Sequence, residues 1–344
     1  MIKLAIDVMG GDHSPSEQVK GAVNALAKDK ELSLVLCGDE TAVKGELAKY
    51  KYDESRVTIV HADEVISGEE VPTKAIKTKK TSSMVVAYDL LKSGEVDGLV
   101  SSGSTGALLA GGVLKLGRIK GISRPALCPT VPNGKGTITL LCDSGANVEC
   151  KSVNLVHFAI MGTAYAQAVY GIENPTVGLL NNGTEDHKGD EVHQETNRIL
   201  KETKTVNYIG NVEGRAIMLG DADVVVSDGY TGNTAIKGVE GCAKAMSNVM
   251  KKAFKKNLWT KLRALLVKDI IDDIKKSMDY EACGGAVFLG FPKAIVKAHG
   301  NAKAKGFGVA ISQAANAVRG DMVGKISRML ETIDTSVPVA QEQA

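Results

Sequence analysis

The chain has 344 residues, of which 44% are hydrophobic and 24% charged, with 42 basic against 40 acidic side chains. A net charge of +2 gives no global pull toward nucleic acid, and aromatics at 4% are too sparse for a base-stacking platform. No apolar run is long enough to span a membrane, and Asp7 interrupts the short one at the start.

In chain order, short β-rich runs alternate with helical patterns. Strands are expected at Lys3–Val8, Leu32–Cys37, Val57–Val60, Gly98–Val100 and Ile138–Cys142, then at Thr176–Leu180, Asn207–Ile209, Val224–Ser227 and Ala294–Lys297. Helices are expected near Ser16–Ala27, Thr41–Lys49, Ser83–Leu91 and Thr105–Leu116, then Val153–Val169, Glu191–Glu202, Thr234–Phe254 and Ala302–Val318. Ser14, Pro15 and Glu17 read as a capping box for the first helix. "GISRPALCPTVP", residues 121–132, reads as irregular or antiparallel because prolines interrupt it. The βαβα order argues for an α/β/α sandwich around a largely parallel sheet. We expect one catalytic domain over 1–334, with a protruding helical segment at 251–278 and a flexible tail at 335–344. The six cysteines are scattered without a CxxC pair, as expected of buried reduced thiols.

Small and polar clusters follow the predicted strands again and again. The first holds Asp7, Gly10, Gly11, Asp12 and His13. "SSGSTGA" follows the fourth strand, and Asp143, Gly145 and Asn147 follow the fifth. Asn181, Thr184, His187 and Lys188 follow the sixth; Asp228, Gly229, Gly232, Asn233 and Lys237 follow the eighth; His299, Gly300, Asn301 and Lys303 follow the last. In a parallel sheet such loops open at one edge, where open α/β sheets bind ligands. Glycine amides, hydroxyls, Asn amides and a few cations suit a small oxyanion such as phosphate.

Each loop also has a plain structural reading. "GSTGALLAGG" fits neither GxGxxG nor a P-loop, so it is a packing turn or an anion site. His13 and His299 read equally as structural histidines, and Asp7, Asp12, Asp143 and Asp228 as helix caps or Mg²⁺ ligands. No ligand spacing announces a metal, and we expect no cofactor. Lys188 supplies the full positive charge that an anion site benefits from.

The segment "KKAFKKNLWTKLRALLVKDIIDDIKK" holds Leu258, Leu262, Leu265, Leu266 and the only tryptophan, Trp259, and seven basic residues precede its first acidic one. Such a helix either lies in an anionic membrane interface or packs on the body or a second subunit.

Taken together, "AIDVMGGDHSP", "SSGSTGALLA", "DSGANVECK", "VGLLNNGTEDHKGDE", "DVVVSDGYTGNTAIK" and "IVKAHGNAKAKG" resemble the phosphate acyltransferase family of bacterial phospholipid synthesis. The match runs in family order from Ala5 to Gly306, with mild departures at Ser102, Ser104, Asn182 and Tyr230–Thr231. The resemblance implies a Rossmann-like fold of the isocitrate/isopropylmalate dehydrogenase type and a homodimer. It implies acyl transfer from acyl carrier protein to inorganic phosphate, giving acyl-phosphate for a membrane glycerol-3-phosphate acyltransferase. The implied location is cytoplasmic, at the inner membrane surface, with contact through Leu258, Trp259, Leu262, Leu265 and Leu266.

On that reading Lys188, His13 and Asp228 are the expected catalytic residues. Asp12, Ser102, Gly103, Ser104, Thr105, Gly106, Asp143, Asn147, Asn181, Thr184, Asn233 and His299 are expected to bind substrate. An acyl-CoA-dependent phosphotransacetylase, a dehydrogenase on the same scaffold and a non-catalytic membrane-surface scaffold remain alternatives.

Overall fold

The computed structural model describes residues 1–277 and 283–332, so Met278 and the tail at 335–344 lie outside the described residues. The strands are β1 (Ile2–Asp7), β2 (Leu32–Gly38), β3 (Val57–His61), β4 (Gly98–Ser101), β5 (Ala126–Pro132) and β6 (Ile138–Cys142). They continue with β7 (Thr176–Leu180), β8 (Asn207–Val212), β9 (Val224–Val226), β10 (Ala286–Leu289) and β11 (Ala294–Lys297). The helices are α1 (Ser16–Lys28), α2 (Glu40–Leu47), α3 (Pro72–Thr78), α4 (Ser83–Ser93), α5 (Thr105–Gly111) and α6 (Ser152–Tyr170). After these come α7 (Glu191–Glu202), α8 (Arg215–Leu219), α9 (Gly229–Lys255), α10 (Leu258–Leu266), α11 (Lys268–Ser277), α12 (Ala304–Arg319) and α13 (Met322–Glu331).

Among the described residues, eleven strands form one sheet in the order β3-β2-β1-β4-β11-β10-β5-β6-β9-β7-β8. Within β3-β2-β1-β4-β11 every pairing is parallel, and so is every pairing within β6-β9-β7-β8. Between the two blocks, β10 and β5 make three successive antiparallel pairings. Three reversals leave the second block running opposite to the first. The sheet is therefore largely parallel, as expected, but its strand-end loops do not share one edge.

The core follows from strand alternation. One face is covered without a break by α1, α6, α12 and α13, with Leu4, Ile6, Val296, Cys128 and Leu140 beneath them. Helices α1 and α12 cross closely at glycine: a Cβ on Gly308 would stand 3.1 Å from the Gly21 carbonyl oxygen. The opposite face carries two separate clusters, one under α4 and α5 and one around α8 and the start of α9. On β5, Leu127 belongs to the first cluster and Val131 to the second. Pro129 lies between them, where neither cluster covers the sheet.

Local signals held unevenly. Glu17 does not box α1: its Oε2 accepts from the N–H of Ala304 at 2.6 Å and so caps α12, while Ser14 Oγ accepts from Gly11. The proline-rich stretch is strand β5, antiparallel on both sides, with only Pro129 in its interior. Cys37, Cys128 and Cys142 are buried free thiols, whereas Cys242 is exposed. Among the described residues, no helix is long and apolar enough to cross a membrane.

Candidate active site

The uncovered strip of sheet is the floor of a cleft of about 430 Å³. Leu127, Pro129 and Ala286 form that floor. Thr105, Lys297, His299 and Gly300 wall it from the first block; Ser144, Gly145, Asn233, Ile236 and Lys237 wall it from the second. Loops after β4, β6, β9 and β11 thus meet across the two central strands. The first-block loops are joined further by Asp12, whose N–H donates to the Gly300 carbonyl at 2.9 Å.

The first turn of α9 separates this cleft from a second groove of about 500 Å³. Asn233 faces the cleft; Tyr230, Thr231 and Thr234 face the groove with Asn181, Asp190 and His193. Lys188 belongs to the loop bordering this second groove. Its carbonyl accepts from Asn181 Nδ2 at 3.2 Å, and its side chain lies beside Gly183. It is not among the residues lining the central cleft.

Several expected ligand-binding groups are engaged by the protein itself. Asp143 is fully buried. Its Oδ1 accepts from the N–H groups of Leu127, Ser144 and Ala146, and its Oδ2 from both the main-chain and side-chain nitrogens of Asn147. The Asn147 amide also donates to the Pro125 carbonyl at 2.7 Å. Asp143 and Asn147 therefore build the wall of the cleft rather than offer groups to a ligand. Asp228, expected to be catalytic, caps α9 by accepting from Thr231 N–H at 2.8 Å. A carboxylate at that position compensates the open N–H groups and the positive end of a 27-residue helix.

The serine-rich turn after β4 divides in the same way. Ser101 Oγ donates to Asp7 Oδ2 at 2.6 Å and accepts from Gly103 N–H at 2.9 Å. Buried Ser102 accepts from Gln18 Nε2, and Ser104 caps α5. A Cβ on Gly106 would stand 2.8 Å from the Pro72 ring, so that glycine serves close packing. Within this run Thr105 is the residue that lines the cleft. His13 and Thr184 are exposed and line neither cavity; Asn181 lines the second groove, and Asn233 and His299 line the first.

Lys297, which sequence reasoning passed over, lies in the cleft at the end of β11. Its Nζ donates to the Ser102 carbonyl at 3.3 Å and to the Ala298 carbonyl. Burial pulls its pKa down to about 8, against the nearby carboxylates of Asp12 and Asp7. A lysine closing the otherwise apolar strand "AIVK" was the available signal, because a strand-end cation in a buried sheet has no ordinary structural use. Among the described residues, no group of His, Cys, Asp and Glu is placed to hold a metal ion.

The family model described as "Fatty acid synthesis protein" matches residues 2–325. The phosphate acyltransferase of Thermoanaerobacter pseudethanolicus is 46% identical over 98% of this chain and all of that one. That of Clostridioides difficile is 42% identical over 96% of each. The chain belongs to the phosphate acyltransferase family. It is an enzyme that transfers acyl groups. Among solved structures, a phosphotransacetylase from Streptococcus pyogenes superposes with a TM-score of 0.61 at 16% identity, over 92% of this chain and 94% of that one. A 4-hydroxythreonine-4-phosphate dehydrogenase from Klebsiella pneumoniae gives 0.51 at 12% identity, over 92% and 99%. These two likenesses place the phosphate acyltransferase fold among the dehydrogenase-like α/β folds.

Proposed function

We propose that this acyltransferase moves a long-chain fatty acyl group from the thioester of acyl carrier protein to inorganic phosphate, releasing acyl-phosphate for phospholipid synthesis. One observation carries the reading: hydroxyl, amide and imidazole donors from both blocks converge on one small cleft. Thr105, Asn233 and His299 hold the anion there, and fixing a nucleophile against its electrophile supplies much of the rate. Lys188 and His13 are the groups proposed for the thioester half, stabilising its oxyanion or delivering a proton to the departing sulfur. Because Lys188 borders the second groove, the acyl donor spans both cavities around Tyr230 and Asn233.

The enzyme works as a homodimer on the inner membrane surface, where a membrane glycerol-3-phosphate acyltransferase takes up the product. Support for the surface contact comes from the arm formed by α9 to α11. Leu258, Trp259, Leu265 and Leu266 are each more than two-thirds exposed, and Leu262 about half.

The test is direct. Purified protein, phosphate and an acyl thioester are incubated, and acyl-phosphate is trapped with hydroxylamine. Acyl carrier protein and coenzyme A thioesters are compared as donors. Faster turnover with the carrier protein supports the reading; a preference for coenzyme A identifies a phosphotransacetylase-like enzyme, and no product with either removes the proposal.

A further inference from the structure

Lys297 is an ammonium with incomplete compensation. Two of its contacts are main-chain carbonyls, those of Ser102 and Ala298, which carry only partial charge. Asp7 and Asp12 lie near enough to favour its charged form, yet among the described residues no carboxylate makes an ion pair with it. Asp7 is itself occupied by Ser101 Oγ and the N–H of Met9. An ammonium has three N–H donors, so one remains after the two carbonyls. That side chain lines the cleft, beside Thr105, His299 and Asn233. A desolvated cation without a full counter-charge is unfavourable until an anion arrives. The other lysine of the cleft, Lys237, is paired with Glu240 at 2.7 Å, so Lys297 is the cation left to face a compact oxyanion, and the two carbonyls fix it in place beforehand.

We propose that Lys297 is a catalytic residue of this reaction, the cation that binds inorganic phosphate and holds it for attack. The assignment rests on the reading of the central cleft as the acyl-transfer site. In the step itself, an oxygen of hydrogen phosphate attacks the thioester carbonyl carbon. The new C–O bond forms, the C–S bond breaks, and sulfur leaves with the bonding pair. The proton of hydrogen phosphate ends on that sulfur, so acyl-phosphate and free thiol balance the reactants. Lys297 stays protonated throughout and moves no proton.

The experiment uses the full chain with inorganic phosphate as probe, by calorimetry without acyl donor and by steady-state kinetics with it. Lys297→Met raises both the phosphate Kd and the phosphate KM at least tenfold, while the KM for the acyl donor stays within twofold. Lys297→Arg, which keeps the charge, recovers part of the phosphate affinity. Circular dichroism checks folding; should the Met variant unfold, Lys297→Gln, whose amide still reaches the carbonyls without a charge, carries the same test. A folded Met or Gln variant with phosphate KM within twofold of the parent overturns the assignment and leaves the proposed reaction standing. Lys297-dependent phosphate binding in a protein that forms no acyl-phosphate removes the reaction and leaves the anion site.

Discussion

Asp143 Oδ1 stands 2.9 Å from the main-chain nitrogen of Leu127, tying the loop after β6 to the strand that floors the cleft. Asp143→Asn replaces an acceptor of several N–H groups with a side chain that presents a donor to some of them. Buried donors left unpaired are costly, and we expect a loss of roughly 3 kcal/mol. Urea unfolding monitored by circular dichroism measures it; a change under 1 kcal/mol contradicts the wall-building role.

Two glycines of α9 give opposite predictions. A Cβ on Gly232 would stand 2.0 Å from the Asp143 carbonyl oxygen, so Gly232→Ala forces the helix off the loop. The expected cost is about 2–3 kcal/mol, typical of overpacking. Gly238 is exposed in the same helix and a Cβ there meets nothing within 4 Å. Gly238→Ala gains about 0.5–1 kcal/mol from helix propensity. Thermal melts of the pair rank them on either side of the parent.

His157 on α6 is buried, its Nδ1 has no partner among the described residues, and burial pulls its pKa down to about 4 from 6.5. A folded pKa below the unfolded one means that the neutral ring is favoured in the native state. Its contribution is complete above pH 6.5 and is lost as pH falls toward 4, about 3 kcal/mol in all. Melting temperatures of parent and His157→Leu, measured from pH 7.5 to 4.5, test this. The parent should lose stability faster; parallel curves would remove His157 as a source of acid sensitivity.

Lys188→Ala tests whether the two cavities work together. With the thioester half dependent on Lys188, kcat falls about 100-fold, in the range seen when one oxyanion-stabilising group is removed, while the phosphate Kd stays near the parent value. Turnover within threefold of the parent confines the chemistry to the central cleft.

For the arm, Leu258→Glu with Leu262→Glu should abolish flotation with anionic vesicles, since a carboxylate replaces an apolar contact in each case. Turnover on a water-soluble acyl donor stays within twofold, because neither residue lines the cleft. Unchanged flotation would refute the membrane role.

The alternation of strands and helices was plain in the sequence because short β-rich runs, helical periodicity and glycine turns mark it. The turning point of the sheet was not. Strand β10 was not among the expected strands, and for the stretch holding β5 the interrupting prolines left the choice between irregular and antiparallel open; the structure makes it antiparallel. The loops that form the cleft were visible as polar clusters, yet not the direction of each side chain. Asp143, Asn147 and Asp228 read as ligand groups, since a carboxylate or amide after a strand looks the same whether it faces solvent or its own backbone. Lys297 was legible only in part: its place at the end of an apolar strand is visible in the sequence, but the enclosure of its amine by the Ser102 and Ala298 carbonyls is seen only in the packed sheet.

Strand β11 lies between β4 and β10, although about 190 residues of chain separate Ser101 from Ala294. On the ribosome, β1 to β4 emerge long before the strand that must pair with β4. The central edge of the first block therefore waits, apolar and without its β11 neighbour, until that strand emerges. The phosphate site proposed for the cleft is incomplete before then, because Thr105 and His299 line one cleft only when that strand is inserted. Completion of the sheet and assembly of the cleft wall thus coincide, and a chain that stops before β11 is expected to lack the wall formed by Lys297, His299 and Gly300.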